Sequence, residues 1–167
     1  MPPTFALILL ALVLLFVVVL LSRTVRIIPQ ARAGIVERFG KYKQTLPAGL
    51  NVVVPFIDRV RYLIDLREQV VSFPPQPVIT EDNLVVSIDT VIYFQVTDPI
   101  AATYEIANYI TAVEQLTMTT LRNIVGGMDL EQTLTSREEI NNGLRGVLDE
   151  ATGKWGIRVN RVEIKGI

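Results

Sequence analysis

Two carboxylate pairs, Glu81-Asp82 and Glu138-Glu139, are the nearest approach in this sequence to an acid–base couple. A general acid and base must converge on one bond, within hydrogen-bond reach of the proton they move. Glu138 and Glu139 are neighbours on an expected helix, so they project about 100° apart and cannot converge; capping and solvation account for them. Glu81-Asp82 falls in a turn that lacks the alternating oxygen ligands and the glycine of a calcium loop. Ser72, Ser87 and Ser136 could act as nucleophiles only beside an oriented base, and each sits in an expected strand or cap. Asp89 alternates outward with Ser87 and reads as a solvated or hydrogen-bonded sheet residue. Gly126-Gly127 follows a helix rather than opening one, which is the wrong place for a phosphate loop.

Two zeros narrow the chemistry further. With Cys 0 there are no disulfides, thiolate metal sites, cysteine nucleophiles or palmitoylation sites, and with His 0 the commonest general base and transition-metal ligand is missing. Acids and bases nearly balance, 17 against 16, so no nucleic-acid footprint is expected. The reading assigns no catalytic, cofactor-binding or metal-ligating residue and expects no enzyme; a serine hydrolase is the low-ranked alternative.

The elements carry more than the side chains. Residues 5–21, FALILLALVLLFVVVLL, form an unbroken apolar run, with Phe5, Leu10, Leu15 and Leu21 as expected membrane-spanning residues. At 1.5 Å per residue the run covers roughly 26 Å of a hydrocarbon core about 30 Å thick, and Thr4 and Ser22 at its borders narrow the gap. A cleaved signal peptide is the rival, because Ala31-Arg32-Ala33 has the form of a cleavage site. Against it, no Lys or Arg precedes the run, the run is long for a signal, and the Ala-Arg-Ala lies well beyond it. Arg23, Arg26, Arg32, Arg38, Lys41 and Lys43 follow closely, so the positive-inside rule puts the N-terminus outside and the rest in the cytoplasm, giving a single-pass protein of the cell (plasma) membrane.

Residues 34–39, 50–54, 59–66 and 68–73 read as short strands, stopped by Gly40, Pro55 and the prolines 74, 75 and 77; 73–78 cannot be a central strand. Residues 84–96 alternate with period 2 and should form a long central strand. At Asp98-Pro99, a cap and a first helical residue, the period changes. Ile110, Val113, Leu116, Thr117, Thr120, Leu121 and Ile124 mark one helix, ended by Gly126-Gly127. A second begins at Ser136, with Glu139 completing a capping box, and buries Ile140, Leu144, Val147, Leu148 and Ala151. Trp155 should join that core. Residues 157–164 form a last strand, whose change of parity predicts a bulge near Asn160 or Arg161.

The order of short motifs is specific: VERFGKY at 36–42, VPFID at 54–58, VITEDN at 78–83, TLRNIVG at 120–126, SREEIN at 136–141, ATGKWGI at 151–157 and VEI at 162–164. Together with the N-terminal anchor this closely resembles the stomatin/prohibitin/flotillin/HflK-HflC (SPFH, or band 7) family, nearest its bacterial stomatin-like branch, over 27–167. The resemblance implies an α+β fold: a transmembrane anchor (1–24), a β-rich membrane-proximal subdomain (25–97) and an α/β subdomain (98–167). It implies a non-enzymatic membrane scaffold that assembles with itself into rings or cages, organises membrane microdomains and binds membrane lipid. An accessory subunit regulating a membrane-bound protease is the alternative, with that protease or an NfeD-type protein as partner. Stomatin's mid-segment proline and palmitoylated cysteines are absent, and Pro47-Ala48-Gly49-Leu50 interrupts the usual Pro-Gly-Leu. Relatives continue beyond the point matching Ile167 into a long Ala/Glu-rich helix, so the chain is read as a piece of a longer protein. Within the membrane-proximal half, Phe56 and Ile57 in the loop after Pro55 are candidates for membrane contact, with a core contact as the equal alternative.

Overall fold

The computed structural model describes residues 2–167; Met1, the first residue of the expected anchor, lies outside them. The fold is α+β and divides into two compact units, the first ending at Asp65 and the second spanning Leu66–Ile167. This differs from a division at 97/98. The long strand expected at 84–96 finds its partners at 69–79 and 157–166, so the residues on both sides of position 97 are tied into one sheet.

In the first unit, helix α1 (Pro3–Thr24) extends the apolar run by a few residues at its ends and spans 22 residues, none of them buried. That is about 33 Å, enough for the hydrocarbon core. Pro3 fits the first turn, where its missing N–H is not needed. At the other end the Ser22 and Thr24 hydroxyls donate to the carbonyls of Val19 and Leu20, at 2.8 and 2.7 Å, which hides two polar groups within the helix. The chain continues into β1 (Val25–Ile28), then β2 (Arg32–Arg38), β3 (Lys41–Leu46), β4 (Gly49–Val52) and β5 (Asp58–Asp65). Strand β1 pairs with β4 as a two-stranded ribbon, and β2 lies between β3 and β5. Ile28, Val36, Leu46 and Val53 form a small core with Val60 against it. The strand expected at 34–39 stops one residue early, because Phe39 (φ 52°) and Gly40 (φ 80°) make the β2–β3 turn. Two positive φ values in a two-residue loop match the twist of the flanking strands.

The second unit is a three-stranded antiparallel sheet ordered β6 (Gln69–Ile79), β7 (Val85–Val96), β8 (Ile157–Gly166), packed against helices. Strand β7 is central as its alternation required: Val86, Ile88, Thr90, Ile92, Phe94 and Val96 are all buried, while Leu84, just outside the strand, is exposed. Strand β6 runs on through Pro74, Pro75 and Pro77, where the sequence predicts its end. It is an edge strand, so proline's missing N–H costs nothing on the open side, and a bulge between Phe73 and Gln76 absorbs the Pro-Pro pair. The bulge predicted near Asn160 is present, as the register steps from Phe94↔Val159 to Tyr93↔Arg161.

The helices are α2 (Pro99–Tyr104), α3 (Tyr109–Val125), α4 (Leu130–Thr135) and α5 (Arg137–Thr152), followed by a single 3₁₀ turn. Asp98 caps α2 as expected, accepting from the Ile100 N–H at 3.1 Å. The expected Ser136 capping box is absent. Ser136 also terminates α4, donating its N–H to the Gln132 carbonyl at 2.8 Å, and its backbone (φ −103°, ψ 36°) departs from the extended cap geometry. The box sits instead at the start of α4, an unforeseen helix: the Gln132 N–H donates to Asp129 Oδ1 at 2.7 Å and the Asp129 N–H to Gln132 Oε1 at 3.2 Å. Leu121, Val125, Ile140, Leu144 and Leu148 are buried with the inner sheet face, with Ile124 and Trp155 partly buried against them. Val147 and Ile110 belonged to the expected stripes, but both are exposed: Val147 is 45% exposed, because only Ile140, Leu144 and Leu148 point at the sheet.

Candidate membrane-facing site

The ribbon immediately after α1 has its hydrophobicity on the wrong side for a soluble protein. In β1, Arg26 and Ile28 alternate with Val25 and Ile27, and Ile28 turns into the small core, so Val25 and Ile27 face away from it. Register places Val52 opposite Val25 and Leu50 opposite Ile27 on the same outward face. All four are exposed, Ile27 by 76% and Leu50 by 73%. Isolated exposed apolar side chains are ordinary, but two stacked cross-strand pairs make a contiguous apolar strip.

A second feature lies at the end of the neighbouring sheet. The turn after β4 is closed by the Asp58 N–H donating to the Val54 carbonyl at 3.0 Å, and by the Val54 N–H donating to Asp58 Oδ2 at 3.1 Å. Arg38 grips the same carboxylate with Nε to Oδ1 at 2.6 Å and Nη2 to Oδ2 at 3.1 Å. The Arg38 hydrogen bonds, aided by the Val54 N–H and by the charges of Arg38 and Lys43, hold the Asp58 carboxyl below its ordinary range even though partial burial pushes the other way. So braced, the turn presents Phe56 in the left-handed region (φ 68°) and 76% exposed, with Ile57 exposed beside it. Phe39 is also left-handed, is 83% exposed, and sits at the tip of the β2–β3 hairpin. Arg38 pairs with both Lys41 and Asp58, so the two phenylalanines share one end of the sheet. A bulky residue at positive φ costs of order 1–3 kcal/mol. That cost brings no burial here, the pattern of a contact that lies outside the chain.

Phe5, Leu10, Leu15 and Leu21 all lie on α1 and are exposed there, and Phe56 and Ile57 lie on the braced turn, outside the core. Sequence reasoning missed Val25, Ile27, Leu50, Val52 and Phe39. The alternation Val25-Arg26-Ile27-Ile28 was visible, but only the register with β4 shows which face is covered. Phe56→Gly removes both the strain and the aromatic ring. We expect its melting temperature to equal or exceed that of the parent, while the vesicle affinity of a version lacking residues 1–24 falls; a lower melting temperature with unchanged affinity would make Phe56 a folding residue.

Residues 26–167 match the SPFH domain / Band 7 family, and the chain belongs to that family. It is 64% identical over 161 residues to an uncharacterized protein of Mycobacterium tuberculosis, covering 96% of this chain and 42% of the relative. It is 36% identical over 157 residues to a stomatin homolog of Pyrococcus horikoshii, covering 94% of this chain and 59% of that protein. It is 39% identical over 140 residues to mitochondrial stomatin-like protein 2 of Rattus norvegicus, covering 84% of this chain and 40% of that protein. The chain thus spans about half the length of these curated relatives.

Proposed function

We propose that this chain is the membrane-proximal part of a non-enzymatic, membrane-anchored scaffold that associates with copies of itself and organises the lipid and proteins around it. Helix α1 crosses the bilayer once with its N-terminus outside, and the rest of the chain lies at the cytoplasmic face. The observation that carries this reading is the continuity of α1 with the outward apolar face of Val25, Ile27, Leu50 and Val52, a surface that a bilayer at the foot of the anchor would cover. Orientation follows from the basic residues that crowd the C-terminal side of α1. Phe5, Leu10, Leu15 and Leu21 face lipid tails, and Phe56 and Ile57 reach the headgroups. Membership of the SPFH family supports self-association, which we read as assembly of the full-length protein into rings or cages.

A dual reporter fused after Ile167 tests the topology. A fluorescent protein should be bright and alkaline phosphatase inactive in intact cells. Strong phosphatase activity would place the domain on the opposite face and overturn this orientation.

A further inference from the structure

We propose that the foot of the anchor holds the phosphate of an anionic phospholipid, gripped by Arg23, Arg26 and Arg59 and walled by Phe56. The inference rests on the membrane-anchored reading above. A cavity of about 270 Å³ is lined by Arg23, Arg26, Pro55, Phe56, Asp58 and Arg59, all within the first unit. It falls just below the roughly 300–1,000 Å³ of sites for drug-sized ligands, a size suited to a headgroup rather than a whole metabolite.

The charge balance of the lining favours an anion. Asp58 is its only acid, and that carboxylate is already taken by two hydrogen bonds from Arg38 and one from the Val54 N–H. Its lowered pKa keeps it ionised, so Asp58 and Arg38 count together as a neutral pair. Among the described residues none of Arg23, Arg26 and Arg59 forms a salt bridge; Glu37 stands opposite Arg59 in the β2–β5 register, so the lining brings three arginines against one carboxylate that is already paired. The C-terminal end of α1 opposes an anion with about half a charge, which the three arginines outweigh. A guanidinium fork also matches phosphate oxygens two at a time, which an ammonium cannot.

The position separates a lipid phosphate from a free one. Arg23 lies in the last turn of α1 and Arg26 in β1, where a helix that fills the hydrocarbon core emerges at the level of the headgroups. Pro55 and Phe56 add an apolar wall that suits a glycerol ester and its chains and that inorganic phosphate has no use for.

Native mass spectrometry of this 167-residue chain in a mild non-ionic detergent tests the site. The titrants are dioleoyl-phosphatidylglycerol, dioleoyl-phosphatidylcholine and inorganic phosphate. Phosphatidylglycerol should bind at least about tenfold more tightly than phosphatidylcholine, and R26Q/R59Q should lose about tenfold of that affinity. Arg61→Gln removes one charge from β5 outside the cavity and should change binding by no more than about twofold, as an exposed charge would. Should R26Q/R59Q fail to reach the parent's melting temperature, R26K/R59K decides: it keeps the charge, loses the fork, and should weaken phosphatidylglycerol binding while preserving its preference over phosphatidylcholine. Equal binding of the two lipids, an Arg61→Gln loss as large as that of R26Q/R59Q, or displacement of phosphatidylglycerol by equimolar inorganic phosphate would each overturn the proposal. Flotation with phosphatidylcholine vesicles keeps the two claims apart. A protein that floats yet shows no anionic preference loses the headgroup site alone, whereas one that floats with no vesicle loses the anchored reading.

Discussion

Leu144→Ala is expected to destabilise the second unit by about 2–5 kcal/mol, whereas Val147→Ala, one turn-face away on the same helix, should cost less than about 0.5 kcal/mol. Leu144 is fully buried where α5 packs on the sheet, and truncation leaves a cavity that its neighbours in the core cannot close. The helices already approach closely beside it: a Cβ added at Gly143 would stand 3.1 Å from Ile124 Cδ1. Denaturant unfolding of the two variants checks both numbers. Similar costs at 144 and 147 would mean that the buried face of α5 is misassigned.

Gly156→Ala should cost about 2–5 kcal/mol from a single added methyl. Gly156 sits at φ 67°, in the left-handed region, where any side chain is strained. Its carbonyl accepts from the N–H groups of Thr97 and Asp98 at 2.8 and 3.0 Å, which ties the start of β8 to the end of β7. A Cβ there would stand 2.4 Å from the Asp98 carbonyl oxygen and 2.7 Å from Asp98 Cβ. The methyl therefore has to break the junction that joins the last strand to the cap of α2. Thermal unfolding should register this as a large fall in melting temperature, and a change within a degree or two would mean the junction yields easily.

The second unit was the more legible in sequence because its signals are long. Residues 84–96 alternate over more than ten positions, and the helical stripe through Leu121 and the one through Leu144 each repeat over several turns, so one misread residue does not change the answer. What failed there was local. The stripe puts Val147 inside because a broad stripe and a narrow one look alike until the facing sheet is known. The sequence at Ser136 fits a capping box, yet its backbone also closes the preceding helix. The prolines point to an end of β6, but proline only forbids the middle of a sheet and β6 is an edge.

The first unit was legible in its anchor and little else. Its strands are four to eight residues long, and their meaning depends on register: nothing in the sequence around Ile27 shows its surroundings until β4 places Leu50 opposite it on the uncovered side. The same holds for Phe56. Its exposure comes from a left-handed turn braced by Arg38, a partner 18 residues upstream that no local pattern identifies.

The absence of cysteine makes one measurement direct, since a single introduced thiol is the only labelling site. Spin labels at Ile27→Cys, Leu50→Cys, Phe56→Cys, Leu15→Cys and Leu63→Cys, each in the protein reconstituted into bilayers, report whether a position meets lipid-soluble oxygen or a water-soluble nickel complex. Leu15 on α1 is the lipid reference, and exposed Leu63 on β5 is the aqueous one. Positions 27, 50 and 56 are expected to collide with oxygen more than position 63 does and to be shielded from nickel, at depths between the two references. Nickel accessibility at 27, 50 and 56 equal to that at 63 would contradict the claim that this face lies in the membrane.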